Sequence, residues 1–312
     1  MSSGSRIGTY LVPETIPGET PASPEWETLR LTGTTLSPNV STETSSEIRE
    51  SRMNGGGIIT SLDYSGDLSG EFSAETFDKL LEAAFYGTWE ADTPSVGSDQ
   101  LAIGTDRHTF SVVKAFKDIG VYATFKGVHI GSMSLEIPEE GKVTCTFTGM
   151  GLGYEDGTVD PTATGTVTAQ TSTVPMGSAT SVGDILVDGA TLAGEACISA
   201  LTLSIDNTPQ TQRCLGKAGP GAIIATTANV TGSMTMAWSL AAWTQWKKML
   251  TREAIGISFP LSDAAGNEYL FTLPSVEIDG ELPDGGNEDL IQVELNYTAK
   301  NVPITVTRTL AA

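Results

Sequence analysis

The chain has 312 residues, which suggests roughly two domains of about 150 residues each, and 39% of them are hydrophobic, enough for ordinary cores. No run approaches the roughly 20 apolar residues of a spanning helix. The opening MSSGSRIGTY lacks the basic-then-apolar layout of an export signal, so no membrane span and a cytoplasmic start are expected. With 38 acids against 17 bases, a net charge of −21, the surface is unsuited to gripping a nucleic-acid backbone, where affinity comes from Lys and Arg releasing counterions.

Residues 1–27 are rich in Pro, Gly, Ser and Thr and read as an N-terminal arm with one short strand at Ile7–Val12. Leu29–Gly33 starts the first core strand. The polar, charged stretch Pro38–Gly57 is too long for a tight hairpin and is expected to be a loop that is either functional or disordered. Residues 61–72 give the clearest strand. Leu62, Tyr64, Gly66, Leu68, Gly70 and Phe72 alternate with Ser61, Asp63, Ser65, Asp67, Ser69 and Glu71, so one face packs and the other is wet and acidic. SAETFDKLLEAAFYG then predicts a helix capped by Ser73 and closed by Gly87. Strands are expected around 109–113, 120–125, 128–137 and 142–148, followed by a Thr/Gly/Pro-rich linker.

The second half follows the same order. A strand at Ile198–Ile205 leads to a polar loop, Pro209–Gly221, and an alternating strand, Thr227–Trp238. A helix, Leu240–Arg252, is expected to bury Trp243, Trp246 and Leu250. Strands follow at 255–261, 269–273, 276–282 and 290–298. Residues 5–14 align with 181–190, 24–33 with 194–203, 62–84 with 228–250, and 121–147 with 268–295. The order of elements, more than identity, indicates an internal duplication. The chain therefore reads as mostly β: two tandem antiparallel β-sandwich or half-barrel domains, each with one packed α-helix. The divisions are an arm 1–27, a first domain 28–155, a linker 156–180, a second domain 181–301 and a C-terminal arm 302–312.

Catalytic chemistry is hard to find. Cys145, Cys197 and Cys214 have no metal-type spacing and read as reduced thiols. His108 precedes a strand, and His129 falls on the polar side of one. Neither belongs to a zincin, nucleophile-elbow or phosphate-loop signature. DAAGNE (263–268) and PDGGNED (283–289) lack the ligand register of an EF-hand and suit turns. Trp238, Trp243 and Trp246 sit where core packing is expected, not an exposed sugar platform. No enzyme activity, cofactor or metal is assigned.

Several segments carry a family resemblance. LRLTGTTLSPNVSTETSSEIRESR (29–52), DLSGEFSAETFDKLLEAAFYGTW (67–89), FSVVKAFKDIGVYATFKGVHIGSMSLEI (110–137) and FPLSDAAGNEYLFTLPSVEIDG (259–280) resemble, in that order, the major tail tube proteins of long-tailed, non-contractile (siphovirus-type) bacteriophages. The resemblance spans nearly the whole chain apart from residues 1–20 and 155–180. It implies a structural virion protein of the tail, assembled in the host bacterial cytoplasm. Its copies would form rings that stack into a hollow tube, through which genomic DNA passes from capsid to host without specific binding. Implied partners are further copies of itself, the tape-measure protein, and the tail terminator and distal tail proteins. Many members have one domain and six subunits per ring, so two copies here suggest three subunits in a pseudo-sixfold ring.

Four inner strands per repeat would give about 24 around a ring. At about 4.8 Å spacing and about 40° tilt, that is a backbone circle roughly 48 Å across, wide enough for a duplex. The acidic strand faces then supply candidate lumen residues: Asp63, Asp67, Glu71, Glu277, Asp279, Glu281 and Glu294. The polar loops supply candidate inter-ring residues: Glu43, Glu47, Arg49, Glu50, Arg52, Arg213 and Lys217. Three alternatives compete with this reading. One is another virion β-protein, either a capsid decoration or a distal tail protein. A secreted β-sandwich binding module would call for an exposed aromatic platform and an export signal. An acid-pair glycosidase would call for a pocket.

Overall fold

In this computed structural model the described residues are 3–311, except 49, 51, 54 and 193–195. The first half runs β1 (Ile7–Pro13), β2 (Glu25–Leu29), β3 (Gly33–Thr34), β4 (Ser37–Thr44), β5 (Gly57–Glu71), α1 (Asp78–Phe85), β6 (Ser98–Ala102), β7 (Phe110–Phe116), β8 (Val121–Ile137) and β9 (Thr144–Gly151). Then come β10 (Gly153–Gly157), β11 (Thr166–Thr168), the single-turn α2 (Ser178–Ser181), β12 (Leu186–Val187) and β13 (Ala190–Thr191). The second half has β14 (Ile198–Asp206), β15 (Gln210–Arg213), β16 (Pro220–Ile224), β17 (Asn229–Ala237), α3 (Leu240–Thr251), β18 (Ile255–Ser262), β19 (Glu268–Asp279), β20 (Gln292–Ala299) and β21 (Thr305–Thr309).

The strands are antiparallel apart from β11 with β2. Two of them, β8 and β19, are long and change neighbours midway. The first part of β8 pairs with β7, which pairs with β1, and its last part pairs with β9, which pairs with β5. Likewise β19 pairs first with β18, which pairs with β12, and then with β20, which pairs with β17. The registers correspond as well as the order. Phe110↔Val128 and Val112↔Phe125 flank an irregularity in the first half, and Ile255↔Val276 and Ile257↔Leu273 flank one in the second. Both main helices end on a left-handed residue, Tyr86 and Arg252, the same distance after their preceding strand.

Equivalence through these pairings corrects one sequence alignment. Leu36 lies opposite Gly66 and Leu203 opposite Gly232, so Thr35-Leu36-Ser37 matches Thr202-Leu203-Ser204. Aligning 24–33 with 194–203 is out of step by three residues. Gly66 and Gly232 are themselves equivalent, and each admits a close crossing. A Cβ on Gly66 would lie 2.4 Å from the Leu36 backbone nitrogen, and one on Gly232 would lie 2.1 Å from the Thr202 carbonyl.

The halves do not sit apart. Six residue pairs, Leu201↔Ile137 to Asp206↔Ser132, join β14 to the last part of β8. One sheet therefore runs β4–β5–β9–β8–β14–β17–β20–β19, and it remains open within the chain. Its apolar face carries Leu68, Phe147, Met133, Leu135, Leu203, Met234 and Leu295, all buried together with Phe125, Phe259 and Phe271 from the strands beyond the crossover. Burying such side chains contributes about 1.5–3 kcal/mol each.

Several local expectations change. The first helix spans only residues 78–85 and has no side-chain cap, because Glu75 adopts φ 61° and breaks the turn; Ser73 instead bonds Thr76 at 2.7 Å. Residues 38–44 of the expected loop, together with Ser37, form β4, a hairpin arm along β5. The second polar loop is the hairpin β15–β16. Helix α3 buries only Ala242; Trp243 is 39% and Leu250 67% exposed. His129 is buried, not on a wet face, because β8 passes between two layers there. Residues 156–180 hug the first half: the Arg30 guanidinium donates to the Thr171 and Thr173 carbonyls, and the Met176 amide to Phe72.

The C-terminal segment ties the halves together from outside. β21 pairs with β19 on one side and with β6 on the other. Arg308 reaches Asp78 at 2.6 Å and Asp99 at 2.9 Å and lies over the Trp89 ring, while the Tyr269 hydroxyl donates to Asp78. Burial pushes the Asp78 carboxyl up, and the Tyr269 hydroxyl and Arg308 oppose that push.

Removing Arg308 would leave Asp78 buried without a cation. Arg308→Ala is expected to lower the unfolding free energy by about 3 kcal/mol in urea titrations. Gly232→Val should prevent soluble folding or lower the melting temperature sharply, since backbone lies where the side chain must go. Burial also lowers the His129 pKa against the pull of the Gly127 carbonyl. The unfolded chain therefore binds a proton below about pH 6.5 that the folded chain refuses, and stability falls as pH drops through that range. Urea midpoints at pH 7 and 5.5 should differ less in His129→Gln than in the parent.

Candidate functional site

The face of the eight-strand sheet opposite the core is built from period-two alternation in every strand, so the registers set which polar groups stand side by side. One row runs Ser69–Thr146–Ser134–Ser204–Thr231–Thr298–Glu277. The next runs Glu71–Thr144–Glu136–Thr202–Ser233–Asn296–Asp279. Asp67, Thr148, Ser132, Asp206 and Asn229 form a third, and Thr235 stands beside Glu294. All these side chains are exposed or half-buried. No lysine or arginine occurs in residues 61–71, 132–136, 144–148, 202–206, 229–237, 277–279 or 292–298. The face is hydroxyl, amide and carboxylate throughout.

Of the residues expected at a lumen, Asp63, Asp67, Glu71, Glu277, Asp279 and Glu294 share this face. Glu281 lies two residues beyond the end of β19, in step with Glu277 and Asp279. Among the described residues, cations reach the face only from its margins: Lys142 to Glu71 at 2.6 Å, Arg213 to Asp63 at 2.5 Å, and Arg252 to Glu277 at 2.8 Å with Lys300 at 3.6 Å. The Arg252 hydrogen bond holds the Glu277 carboxyl below its usual range. Among the described residues Asp67, Asp279, Glu281 and Glu294 have no ion pair. Thr148 donates to Asp67 at 2.8 Å. Glu136 and Asp206 belong to the same face and were not singled out from sequence. Their strands alternate as clearly, but only pairing across β8 and β14 reveals that they join the others.

The residues proposed for contact between rings divide into two groups. Glu43 lies on β4, and Glu47, Glu50 and Arg52 lie on the connection to β5, all exposed; Arg49 lies outside the described residues. The same projection carries exposed Val40, Ile48, Met53, Ile58 and Ile59, so it is more apolar than its charges suggest. Arg213 and Lys217 lie on the β15–β16 hairpin, which rests against the base of that projection: the Leu62 amide donates to the Ala218 carbonyl at 2.9 Å. Arg213 is thus engaged with Asp63 and not with the loop charges.

Other polar groups are accounted for locally. The Asp263 carboxylate accepts from the amides of Ala265 and Asn267 and from the Asn267 side chain, so it serves a turn. These bonds outweigh burial and lower its pKa. His129 Nδ1 lies 3.0 Å from the Gly127 carbonyl, and burial pushes the Cys145 thiol up, away from reactivity. Among the described residues no group of three His, Cys, Asp or Glu could hold a metal ion, and no helix is long and apolar enough to cross a membrane.

The site is therefore an extended surface with two open sheet edges and a projecting hairpin. No curated protein matches the chain in sequence. A family model described as phage tail tube protein matches residues 4–299. The chain belongs to the phage tail tube protein family and is a structural component of the virion tail.

Proposed function

We propose that the protein assembles with copies of itself into stacked rings forming a hollow tube, and that genomic DNA passes through it from capsid to host. The observation that carries this reading is the continuous sheet face, polar, acidic and free of lysine and arginine, that crosses both halves of the chain. In this reading residues 28–155 and 181–301 are two copies of one tube unit, with 156–180 as the linker and 1–27 and 302–312 as arms. Eight strands per chain make 24 from three chains, the pseudo-sixfold ring that the duplication suggests. Assembly takes place in the host cytoplasm around a tape-measure protein, and terminator and distal tail proteins bound the tube.

The chemistry of the face suits passage. A basic wall would hold DNA by releasing its counterions. Carboxylates repel phosphates, with salt limiting the reach to about 8–10 Å. A closed ring also removes the exposed sheet edges that invite aggregation. The β4–β5 projection, with its charges and exposed apolar residues, fits a contact from one ring to the next.

Negative-stain microscopy of the purified protein should show long hollow tubes or rings; compact single particles under every condition would sink the reading. Particles carrying Asp67→Lys, Glu136→Lys and Glu294→Lys together should still assemble tails but eject DNA at least about tenfold more slowly, most of all at low salt. Unchanged ejection would remove the electrostatic role of the face. Amide exchange across 42–57 should slow on assembly, and equal protection in monomer and tube would exclude the projection as an inter-ring contact.

A further inference from the structure

The chain contains one seam between its halves and exposes the matching parts of a second. In the seam β14 lies along the last part of β8, from Asp206↔Ser132 to Leu201↔Ile137. Through the paired registers, β14 residues 201–206 are equivalent to 34–39 on β3–β4. By the same route, β8 residues 132–136 are equivalent to 279–283, because Thr148↔Ser132 matches Asn296↔Asp279. Yet the 34–39 edge pairs only with β5, and β19 stops at Asp279 with 280–283 outside any strand. Each half of a seam is present, and they lie at opposite ends of the eight-strand sheet.

We propose that β19, extended through Gly280–Pro283, takes up the β3–β4 edge of a second copy of this chain in the register of the internal seam. This rests on the self-assembly reading above and specifies the contact. Asp279 then lies opposite Asn39 of the next copy, Gly280 opposite Pro38, Glu281 opposite Ser37, Leu282 opposite Leu36 and Pro283 opposite Thr35. The alternation of faces is preserved, so Glu281 joins the acidic surface and Leu282 the core.

Three independent features of the exposed parts fit that partner. Leu282 is 61% exposed, whereas its equivalent Leu135 is fully buried in the internal seam. The internal seam is closed at one end by Asn207, whose side-chain amide donates to the Ala84 carbonyl at 2.9 Å. The equivalents of Asn207 and Ala84 are Val40 and Leu250, which are 55% and 67% exposed, so an apolar contact between copies replaces a polar contact within one. Finally, an open groove lined by Met249, Arg252, Glu277, Asp279 and Asn296 lies along this free edge of β19, beside the C-terminal end of α3.

Pro38 withholds one amide from the edge that would bind. Proline is tolerated at such edges and discourages indiscriminate strand pairing. Specificity comes from the flanking side chains and the shared register, as in other strand additions.

Cysteine pairs test the register directly. Within the internal seam the Asn207 amide bonds the Gly131 carbonyl, which makes Ser204 and Ser134, and hence Ser37 and Glu281, a pair that exchanges no backbone bonds. Such pairs have Cα atoms about 4.5 Å apart, within disulfide reach. In a Cys197→Ser, Cys214→Ser background, Ser37→Cys with Glu281→Cys should give intermolecular disulfides on mild oxidation of assembled protein, at least about tenfold more than Asn39→Cys with Glu281→Cys. In the unaltered protein, the amides of Gly280 and Leu282 should gain protection on assembly. Tubes that form without the preferred cross-link, or with the Gly280 and Leu282 amides unprotected, overturn this seam while leaving the tube intact. Failure to form rings or tubes at all overturns both.

Discussion

The pairing of β14 with the last part of β8 is the contact on which the rest of the architecture depends. Without it the chain would hold two small sheets, each with two raw edges and an incompletely covered helix. With it, backbone amides and carbonyls along six residue pairs are satisfied, and two four-strand surfaces become one of eight. Period-two alternation then fixes the consequence. Every strand that keeps register sends its apolar residues to the same side, and a slip of one residue would invert the whole strand.

That constraint explains why the polar face is coherent. Carboxylates separated by more than two hundred residues in sequence, such as Glu71 and Asp279, fall in one lateral row because each intervening strand is locked to the next. Rows of serine and threonine fill the spaces between them. Like charges at such spacing repel, and the hydroxyl rows keep them diluted and hydrated. The margins, where Lys142, Arg213 and Arg252 pair with acids, differ chemically from the middle.

The two helices show how the same local design serves different surroundings. α1 is covered by the second half through Tyr269, Arg308 and Asn207, and its Leu80, Leu81, Ala84 and Phe85 are buried. α3 ends, like α1, on a left-handed residue, yet leaves Leu240, Trp243 and Leu250 in the open. The difference lies in the contacts each makes: residues 201–309 cover α1, and among the described residues no segment covers α3 in the same way. One side of α3 and the β3–β4 edge are thus left uncovered among the described residues.

Much of this was legible in the sequence because alternation and helix periodicity are local. The strand at 61–71, the acidic side of 277–279 and the tail tube resemblance need no knowledge of distant contacts. Local pattern could not give the rest. It read β4 as loop because hairpin pairing, not composition, makes it a strand, and it buried Trp243 and Leu250 because amphipathicity says nothing about whether a covering layer exists. It placed His129 on a wet face because the crossover of β8 between layers comes from its partners. It passed over Glu136 and Asp206 because membership of a surface is decided by the neighbouring strand. Sequence determined which residues point together along one strand; only the tertiary pairing decided which strands stand together, since that is set by backbone hydrogen bonds between segments far apart in the chain.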